Sequence, residues 1–488
     1  MFNKILITGD FSRISNKKIE QEKNIEWLYY MLKTPLEFST ESSIQLFPSI
    51  EDRPIVDTLL KEIGITGLES WVSKYNESTI STKALAIIKE IFEDSLVICL
   101  EIPNWLERVL SNINCIVLEV IFHPVRFMPD ILLGFASKNK SIDSILESFS
   151  VPQFNIFLEA NMIKSYNKRL SDSSFFEDSE DYLLITGQMN IDRSLICEYH
   201  LKSIYDYKDK LMDYAKEYQY VIYKAHPYMA KNSINREELK RQIIFLKTIF
   251  NNVKVTNADF YWLISQDEIK KNISLSSGTG IESSYFGVES EFLYNYQWSV
   301  KENQNNANIL YYHGINQSFL YPDFWEKILY SIVKTKKSSF NVSYQKNRLR
   351  KTLIQSWGFG LTDLGGEDRI YRIDTENKSQ ADKNIANVVT DIASNKNYST
   401  LDIEFEKIKR NKDKMKSFLI RILLDLNQKN RVFLLQKLLV ASDREELERN
   451  SSQFTNTDIL KLLITVGKFG PLNRLDINMI VTEYGVVS

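Results

Sequence analysis

Short runs of apolar, often β-branched residues alternate along the chain with longer stretches whose apolar positions recur at helical spacing. This pattern is typical of parallel strands joined by crossover helices. The first half is therefore predicted to contain βαβ units. Its predicted strands cover residues 4–8, 95–100 and 115–122, and its predicted helices cover residues 18–32, 82–93 and 105–112.

The same alternation returns after a polar, acidic stretch at residues 171–181, which has the composition of a surface linker. A second Rossmann-like unit is therefore predicted beyond it. Its strands are predicted at residues 182–186, 220–224, 253–256, 272–275 and 291–294, with helices at 201–218, 236–250, 258–265 and 280–286.

After Asp363 only helical patterns remain, at residues 401–426, 431–441 and 458–466. The chain is thus predicted to be an α/β protein in three parts. Residues 1–170 form a first Rossmann-like domain, residues 171–365 form a second one, and residues 366–488 form an all-helical appendage. The basic run EKIKRNKDKMK in this last part is interpreted as a solvated helix face.

Composition narrows the class of protein further. With 488 residues, of which 43% are hydrophobic and 25% charged, the chain is long enough for two ordinary cores. A formal charge of -2 without a long run of one sign gives no reason to expect nucleic-acid binding. The three cysteines, Cys99, Cys115 and Cys197, lack the spacing of a zinc site and are interpreted as buried thiols.

The amino terminus lacks the order of a signal peptide, and no apolar run approaches the roughly 20 residues of a membrane-spanning helix. A cytoplasmic location is therefore expected, with peripheral association with the inner membrane as an open alternative.

Polar clusters follow several predicted strands, where open parallel sheets bind their ligands. In SLSSGTGIESS, the residues Ser276, Ser277 and Gly278 precede a helix, and Glu282 lies in its first turn. Small side chains, bare amides and a helix N-terminus suit a phosphate, and the glutamate suits ribose hydroxyls. A capped helix start would have the same composition.

Two further clusters belong to the second half. The strand at residues 220–224 ends in KAHP, which puts Lys224 and His226 at a sheet edge. There they either donate hydrogen bonds to a phosphate or serve only the local turn. The strand at residues 182–186 is followed by GQMNIDRS, in which Asp192 is the one acid. Asp192 is either the N-cap of the next helix or a carboxylate at the cleft between the domains.

The first half offers residues that would face the same cleft from the other side. Glu101 follows one strand, and His123 and Arg126 follow the next. The alternatives are that Glu101 caps a helix and that Arg126 pairs with Asp130. Acids and bases at the rims of two opposed sheets suggest a bilobal transferase.

In this order, the motifs resemble those of the retaining β-Kdo transferases of bacterial capsule and O-antigen assembly, which include KpsC-like and WbbB-like enzymes. GQMNIDRS is similar to their Gln-x-x-x-Asp-x-Ser motif, KAHP to their Lys-Pro-His-Pro-like motif and SSGTGIE to their Ser-x-x-Gly-x-Glu motif. CLEIPNWL with HPVRFMPDILLGFAS, and FWEKIL with LRKTLIQSWGF, resemble the WbbB-like branch. The resemblance covers residues 4–363.

This resemblance implies a GT-B fold, two Rossmann-like domains facing a cleft, and CMP-β-Kdo as the donor. Asp192 would be the nucleophile, and Glu101 would be the base that deprotonates the acceptor. Glu159 in LEANMIKS is the second choice for the base, because the longer acidic motif of the capsule enzymes is missing there. The donor would be bound by Gln188, Ser194, Lys224, His226, Ser276, Ser277, Gly278 and Glu282, and the acceptor side would include His123 and Arg126.

No cofactor or metal is expected, because cations and amides suffice for the single phosphate of a CMP leaving group. The expected partners are a nucleotide-sugar donor and a glycan or glycolipid acceptor, with peripheral association with membrane-bound assembly machinery left open. Two other functions remain open. One is a CMP-sialic acid transferase of GT-B type, and the other is a non-catalytic scaffold that binds a glycan or a nucleotide.

Overall fold

A computed structural model describes most of the chain and separates it into two compact units. One unit comprises Met1–Arg236 and Ile249–Ala386, and the other comprises Glu237–Thr248 and Asn387–Ser488. The described residues are 1–15, 18–169, 175–176, 181–226, 229, 233–256, 258–295, 298–300, 310–337, 342–356, 405, 408, 411–438 and 454–484.

The first unit begins with a sheet whose central strands are buried on both faces. Ile5 and Ile7 of its first strand pack into one core, and Leu6 packs into a second core on the opposite face. The strands are β1 Lys4–Gly9, β2 Ser43–Leu46, β3 Ser95–Leu100, β4 Cys115–Phe122 and β5 Leu133–Ala136. Their order in the sheet is β5-β4-β3-β1-β2, and all are parallel except β5, which runs antiparallel to β4.

Seven helices accompany these strands within the described residues. Their bounds are α1 Glu22–Ser39, α2 Arg53–Ile63, α3 Leu68–Lys74, α4 Thr82–Phe92, α5 Asn104–Leu110, α6 Lys140–Phe149 and α7 Gln153–Arg169. The helix predicted at residues 18–32 begins later, at Glu22. Lys18–Ile19 instead pairs with Ile14–Ser15 in a short antiparallel ladder, which uses backbone groups that a helix would need.

The second sheet is entirely parallel. Its strands are β6 Tyr182–Thr186, β7 Tyr220–Lys224, β8 Asn252–Thr256, β9 Ile269–Ser274 and β10 Glu289–Phe292. Their order in the sheet is β8-β7-β6-β9-β10.

The helices in this part of the chain are α8 Lys208–Glu217, α9 Ser233–Lys247, α10 Phe260–Leu263 and α11 Gly278–Tyr285. Most of α9 belongs to the second unit. The helix predicted at residues 201–218 begins at Lys208, because it is preceded by a ladder between His200–Leu201 and Ile196–Cys197 and by a 3₁₀ helix at Ile204–Tyr207.

The chain then returns to the first sheet. Strand β11, His313–Ile315, pairs antiparallel with β5, and helices α12, Pro322–Leu329, and α13, Arg348–Ser356, follow it. Phe324 and Trp325 of α12 join the core of the first sheet, which buries the apolar face of this helix. The prediction that residues 171–365 form one continuous domain is therefore corrected for this segment.

Four helices make up most of the described part of the second unit. They are α14 Lys412–Leu424, α15 Gln428–Leu438, α16 Asn456–Val466 and α17 Arg474–Tyr484. Their apolar faces share one core that includes Phe418, Phe433 and Ile477. Most of the predicted linker at 171–181, residues 366–404 and residues 439–441 lie outside the described residues, so the appendage and the other domain limits stay predictions.

Two further expectations concern the cysteines and the possibility of a membrane-spanning helix. All three cysteines are free thiols, but only Cys99 is fully buried, whereas Cys115 and Cys197 are half-buried. Within the described ranges, no helix combines the length and the apolar character required to cross a membrane.

Asp130 joins the returning segment to the first sheet. It is buried, and its carboxylate accepts hydrogen bonds from the backbone N–H groups of Leu349 and Arg350, at 2.9 and 3.0 Å, in the first turn of α13. The side chain of Gln317 donates a further bond at 2.6 Å. Asp130 therefore caps a helix that is distant in the sequence, and the structure does not realise the alternative in which it pairs with Arg126.

We predict that Asp130→Ala lowers the free energy of unfolding by about 3 kcal/mol, because it leaves several buried donors without an acceptor. Denaturant unfolding followed by tryptophan fluorescence measures this, since all seven tryptophans precede residue 387 and so lie in the first unit. Asp57→Ala, at an exposed aspartate of α2, is the control and should change the value by less than about 0.5 kcal/mol. Equal effects of the two substitutions would contradict the role of Asp130.

Candidate functional site

A cavity of about 910 Å³ lies between the carboxyl ends of the two sheets of the first unit. Open parallel sheets place their ligands at this edge, where loops and helix N-termini converge. The polar and charged residues that line it are Arg13, Glu101, Arg126, Thr186, Gln188, Asp192, Arg193, Ser194, Lys224, His226, Asp259, Tyr261, Ser276, Ser277, Thr279 and Glu282.

Asp192 is both a helix N-cap and a residue of the cavity wall, the two positions that the sequence offered as alternatives. It is the N-cap of a short 3₁₀ helix, Arg193–Leu195, and its Oδ1 accepts hydrogen bonds from the backbone N–H and the hydroxyl of Ser194, at 2.9 and 2.8 Å. Its half-buried side chain also lines the cavity. The cap holds the carboxylate in a defined orientation at the cavity wall.

A buried network connects the loop after β6 to the loop after β9. The amide of Gln188 donates to the hydroxyls of Ser194 and Ser276, at 2.8 and 3.2 Å, and its carbonyl oxygen accepts from the Ser276 backbone N–H at 3.1 Å. The Ser276 hydroxyl donates to that of Ser194 at 2.7 Å. These side chains hold one another in place beside Asp192, and their predicted contact with a donor stays a prediction.

Helix α11 begins at the cavity wall. The hydroxyl of Ser277 caps it by accepting from the backbone N–H of Thr279 at 3.3 Å. A Cβ atom added to Gly278 would lie 3.0 Å from Cβ of Pro124 in the first half of the chain, so this approach leaves little room for a side chain. The first backbone amides of α11 thus lie at the cavity, as a phosphate site requires.

Lys224 and His226 leave the end of β7 and line the same cavity. Burial lowers the pKa of His226 to about 4, an effect that Lys224 reinforces and Asp192 opposes. The imidazole is therefore neutral at pH 7, so it can donate or accept a hydrogen bond without carrying a charge. Lys224 is the side chain that supplies positive charge at this strand end.

Glu282 is more deeply embedded than the sequence suggested. Only 3% of it is exposed, and its Oε1 accepts hydrogen bonds from the Arg126 backbone N–H at 2.6 Å and the Tyr261 hydroxyl at 2.7 Å. Burial raises the pKa of this carboxyl to about 7. Glu282 therefore ties the two halves of the first unit together as well as lining the cavity.

Glu101 reaches the cavity from the first sheet. It follows β3 directly, with a left-handed φ of 53° that is uncommon for a residue with a side chain. Its Oε2 lies 3.9 Å from Nη1 of Arg193 and accepts a long hydrogen bond of 3.5 Å from Gln21. Burial raises the pKa of Glu101, and the nearby Arg193 opposes that rise.

Arg193 was not among the site residues predicted from the sequence, although it directly follows Asp192. Its side chain is buried, and its guanidinium carbon lies 4.9 Å from the centre of the Trp298 ring. An arginine beside a candidate nucleophile in GQMNIDRS was the available signal. Nothing local indicated that its side chain would be buried or which acid it would face.

The two residues predicted on the acceptor side have different positions relative to the cavity. Arg126 lines the cavity, with its guanidinium carbon 5.5 Å from the centre of the Phe122 ring. His123 is corrected, because its ring is buried outside the cavity lining and accepts from the Val125 backbone N–H at 3.3 Å. Burial lowers its pKa to about 3.

Glu159 is corrected as well. It lies on α7, half-buried and outside the cavity lining, where the nearby charge belongs to Lys346. Of the two candidate bases, the structure brings only Glu101 to the cavity with Asp192. In the described part of the chain, no group of three or more His, Cys, Asp or Glu side chains has a metal-binding arrangement.

No protein-family model and no curated protein sequence matches this chain. A solved structure of KpsC from Thermosulfurimonas dismutans, described as a beta Kdo 2,7 transferase, is similar over 59% of this chain and 77% of its own, with a TM-score of 0.32 and 14% identity.

The raised pKa of Glu282 predicts a pH-dependent stability. The buried, protonated carboxyl contributes to the free energy of unfolding. This contribution is full below the unfolded-state pKa of about 4.3 and is lost as the pH rises through about 7. Glu282→Gln keeps the oxygen that accepts both hydrogen bonds but removes the titration. The free energy of unfolding of the variant, relative to that of the native protein, should therefore rise by up to about 1.4 kcal/mol per pH unit between pH 5 and 7.

Unfolding by denaturant at a series of pH values measures this gain. Glu26→Gln, at an exposed glutamate of α1, is the matched control and should follow the native protein at every pH. A constant difference between Glu282→Gln and the native protein across the range would contradict the assigned titration.

Proposed function

We propose that the chain is a retaining glycosyltransferase of GT-B type, which transfers Kdo from CMP-β-Kdo to a surface-glycan acceptor of capsule or lipopolysaccharide O-antigen. The observation that carries the proposal is the composition of one cavity. The Asp192 carboxylate lines it together with Lys224, His226 and the N-terminus of α11, and Glu101 reaches it from the other sheet. These residues are far apart in the sequence and have complementary chemistry.

The donor phosphate binds at the N-terminus of α11, where backbone N–H groups and the positive end of the helix dipole favour an anion. Lys224 adds a positive charge, and neutral His226 adds a hydrogen bond. The buried network of Gln188, Ser194 and Ser276 holds the two loops that surround this phosphate. The second oxygen of Glu282 serves the ribose, while its first oxygen keeps its bonds within the protein.

The reaction proceeds by two displacements at the anomeric carbon. First, a carboxylate oxygen of Asp192 attacks this carbon, and the bond to the phosphate oxygen breaks with its electron pair leaving on CMP. Next, an acceptor hydroxyl attacks the glycosyl-Asp192 ester, Glu101 takes the hydroxyl proton, and Asp192 leaves as a carboxylate. Two inversions give net retention.

The cavity side chains include cations as well as the two reacting acids. Lys224, Arg126 and Arg13 line the cavity and provide positive charge near a leaving phosphate. Together with the amides of α11, they offset the charge that develops on CMP without a divalent ion. We place the enzyme in the cytoplasm, with a glycan or glycolipid acceptor and peripheral association with membrane-bound assembly machinery.

We predict that Asp192→Asn lowers kcat for Kdo transfer by at least about 10³-fold, because the amide is a poor nucleophile. The Asn oxygen still caps the 3₁₀ helix, so CMP should raise the melting temperature of the variant as it does that of the native protein. Native protein incubated with CMP-Kdo alone should gain the mass of one Kdo residue, and the variant should not.

Asp206→Asn is the matched control, since Asp206 accepts capping bonds from Ser203 at another 3₁₀ helix and does not line the cavity. It should retain full transfer. Undiminished transfer by Asp192→Asn would disprove the nucleophile. Transfer from CMP-sialic acid in place of CMP-Kdo would favour the sialyltransferase, and CMP binding without transfer from either donor would favour a non-catalytic binding protein.

We also predict that transfer continues in excess chelator, with kcat within about twofold of its value without chelator, because amides and cations of the chain stabilise the leaving phosphate. Initial rates with and without EDTA measure this. A rate that is abolished by EDTA and restored by Mg²⁺ or Mn²⁺ would contradict the metal-independent mechanism.

A further inference from the structure

Arg193 extends from the second sheet toward the first. It follows Asp192 in the loop after β6, yet Nη1 lies 3.9 Å from the Glu101 carboxylate, which follows β3 of the other sheet. Only 7% of Arg193 is exposed, and its guanidinium lies over the ring of Trp298. Burial and ring contact restrict the side chain to a small range of orientations.

Three acidic side chains, two that follow strands of the first sheet and one within β4, are near enough to Arg193 to be affected by its charge. Asp10 accepts bonds from the Ser12 hydroxyl and from the Trp71 indole N–H at 2.9 Å. Glu119 accepts from the Tyr312 hydroxyl at 2.7 Å. Among the described residues, Glu101 has no comparable neutral donor, since its side-chain contacts there are the 3.5 Å bond from Gln21 and the ion pair with Arg193. Among these acids, Glu101 is therefore the one that depends most on Arg193.

We propose that Arg193 is a positioning residue that keeps the Glu101 carboxylate ionised and correctly placed opposite Asp192. The base that follows a strand of one sheet thereby keeps its position relative to the nucleophile that follows a strand of the other. This inference rests on the proposed function. Arg193 acts through Glu101 and need not touch the sugar.

The charges that face Glu101 determine what the loss of Arg193 does. Burial, Asp192 and Asp10 raise the pKa of Glu101, whereas Arg193 and Arg13 lower it. Removing Arg193 leaves mainly the contributions that favour the protonated acid. A protonated Glu101 cannot accept the acceptor's proton, so the second displacement slows at neutral pH and recovers as the pH rises.

The experiment compares the native protein with Arg193→Met and Arg193→Lys over pH 5.5–9, using CMP-Kdo and a glycan acceptor. For Arg193→Met we expect kcat at pH 7 to fall at least tenfold, KM for CMP-Kdo to change less than threefold, and the acidic limb of the kcat profile to move up by a pH unit or more. Arg193→Lys keeps the charge and should reverse much of this shift, so that its profile lies close to that of the native protein. Arg108→Met, on the outer helix α5, is the control with an unchanged profile.

An acidic limb that stays in place in both Arg193 variants would overturn the inference, as would a loss confined to KM. Thermal unfolding tests the same coupling without turnover, and it separates this inference from the proposed function. Arg193→Met should lower the melting temperature, and adding Glu101→Gln should restore part of the loss. If the native protein fails to transfer Kdo, the proposed function fails, and additive melting shifts in the double variant would refute the Arg193–Glu101 pairing itself.

Discussion

The arrangement of the side chains around the cavity depends on how the negative charge of buried carboxylates is compensated. Asp10 and Glu101 follow strands of the first sheet and Glu119 lies within β4, and burial raises the pKa of each. An ionised carboxylate in such surroundings is costly unless donors or a cation are close. Arg193, inserted from the other sheet, supplies that cation. The two halves of the first unit are thus joined by electrostatics at the place where chemistry is proposed.

The structural role and the proposed catalytic role coincide in the loops around Asp192. The cap on the 3₁₀ helix orients the carboxylate, and the network of Gln188, Ser194 and Ser276 holds the neighbouring loop. A residue that is already oriented by its own fold loses little conformational freedom when it reacts. The helix-cap interpretation of Asp192 therefore supports the nucleophile interpretation, although the sequence presented the two as competitors.

Hydrophobic patterning was a reliable guide where burial is nearly complete. The strands at residues 95–100, 115–122, 182–186 and 220–224 have the predicted limits, because continuous apolar runs match strands covered on both faces. Helix starts were less predictable. One short antiparallel ladder pairs residues 14–15 with 18–19, and another pairs residues 196–197 with 200–201. Both include residues that the sequence pattern assigns to a helix. The return of residues 313–337 and 342–356 to the first sheet depends on packing against residues that are distant in the sequence.

The sequence by itself determined the α/β class, the central strands and the loops that carry polar side chains, because these follow from local spacing and from strand ends. Tertiary structure decided which of those side chains meet. It placed Asp192, Lys224, His226 and Glu101 at one cavity, moved His123 and Glu159 away from it, and brought in Arg193. Burial, charge pairing and pKa depend on neighbours that are often a hundred residues away in the chain, and no local pattern specifies them.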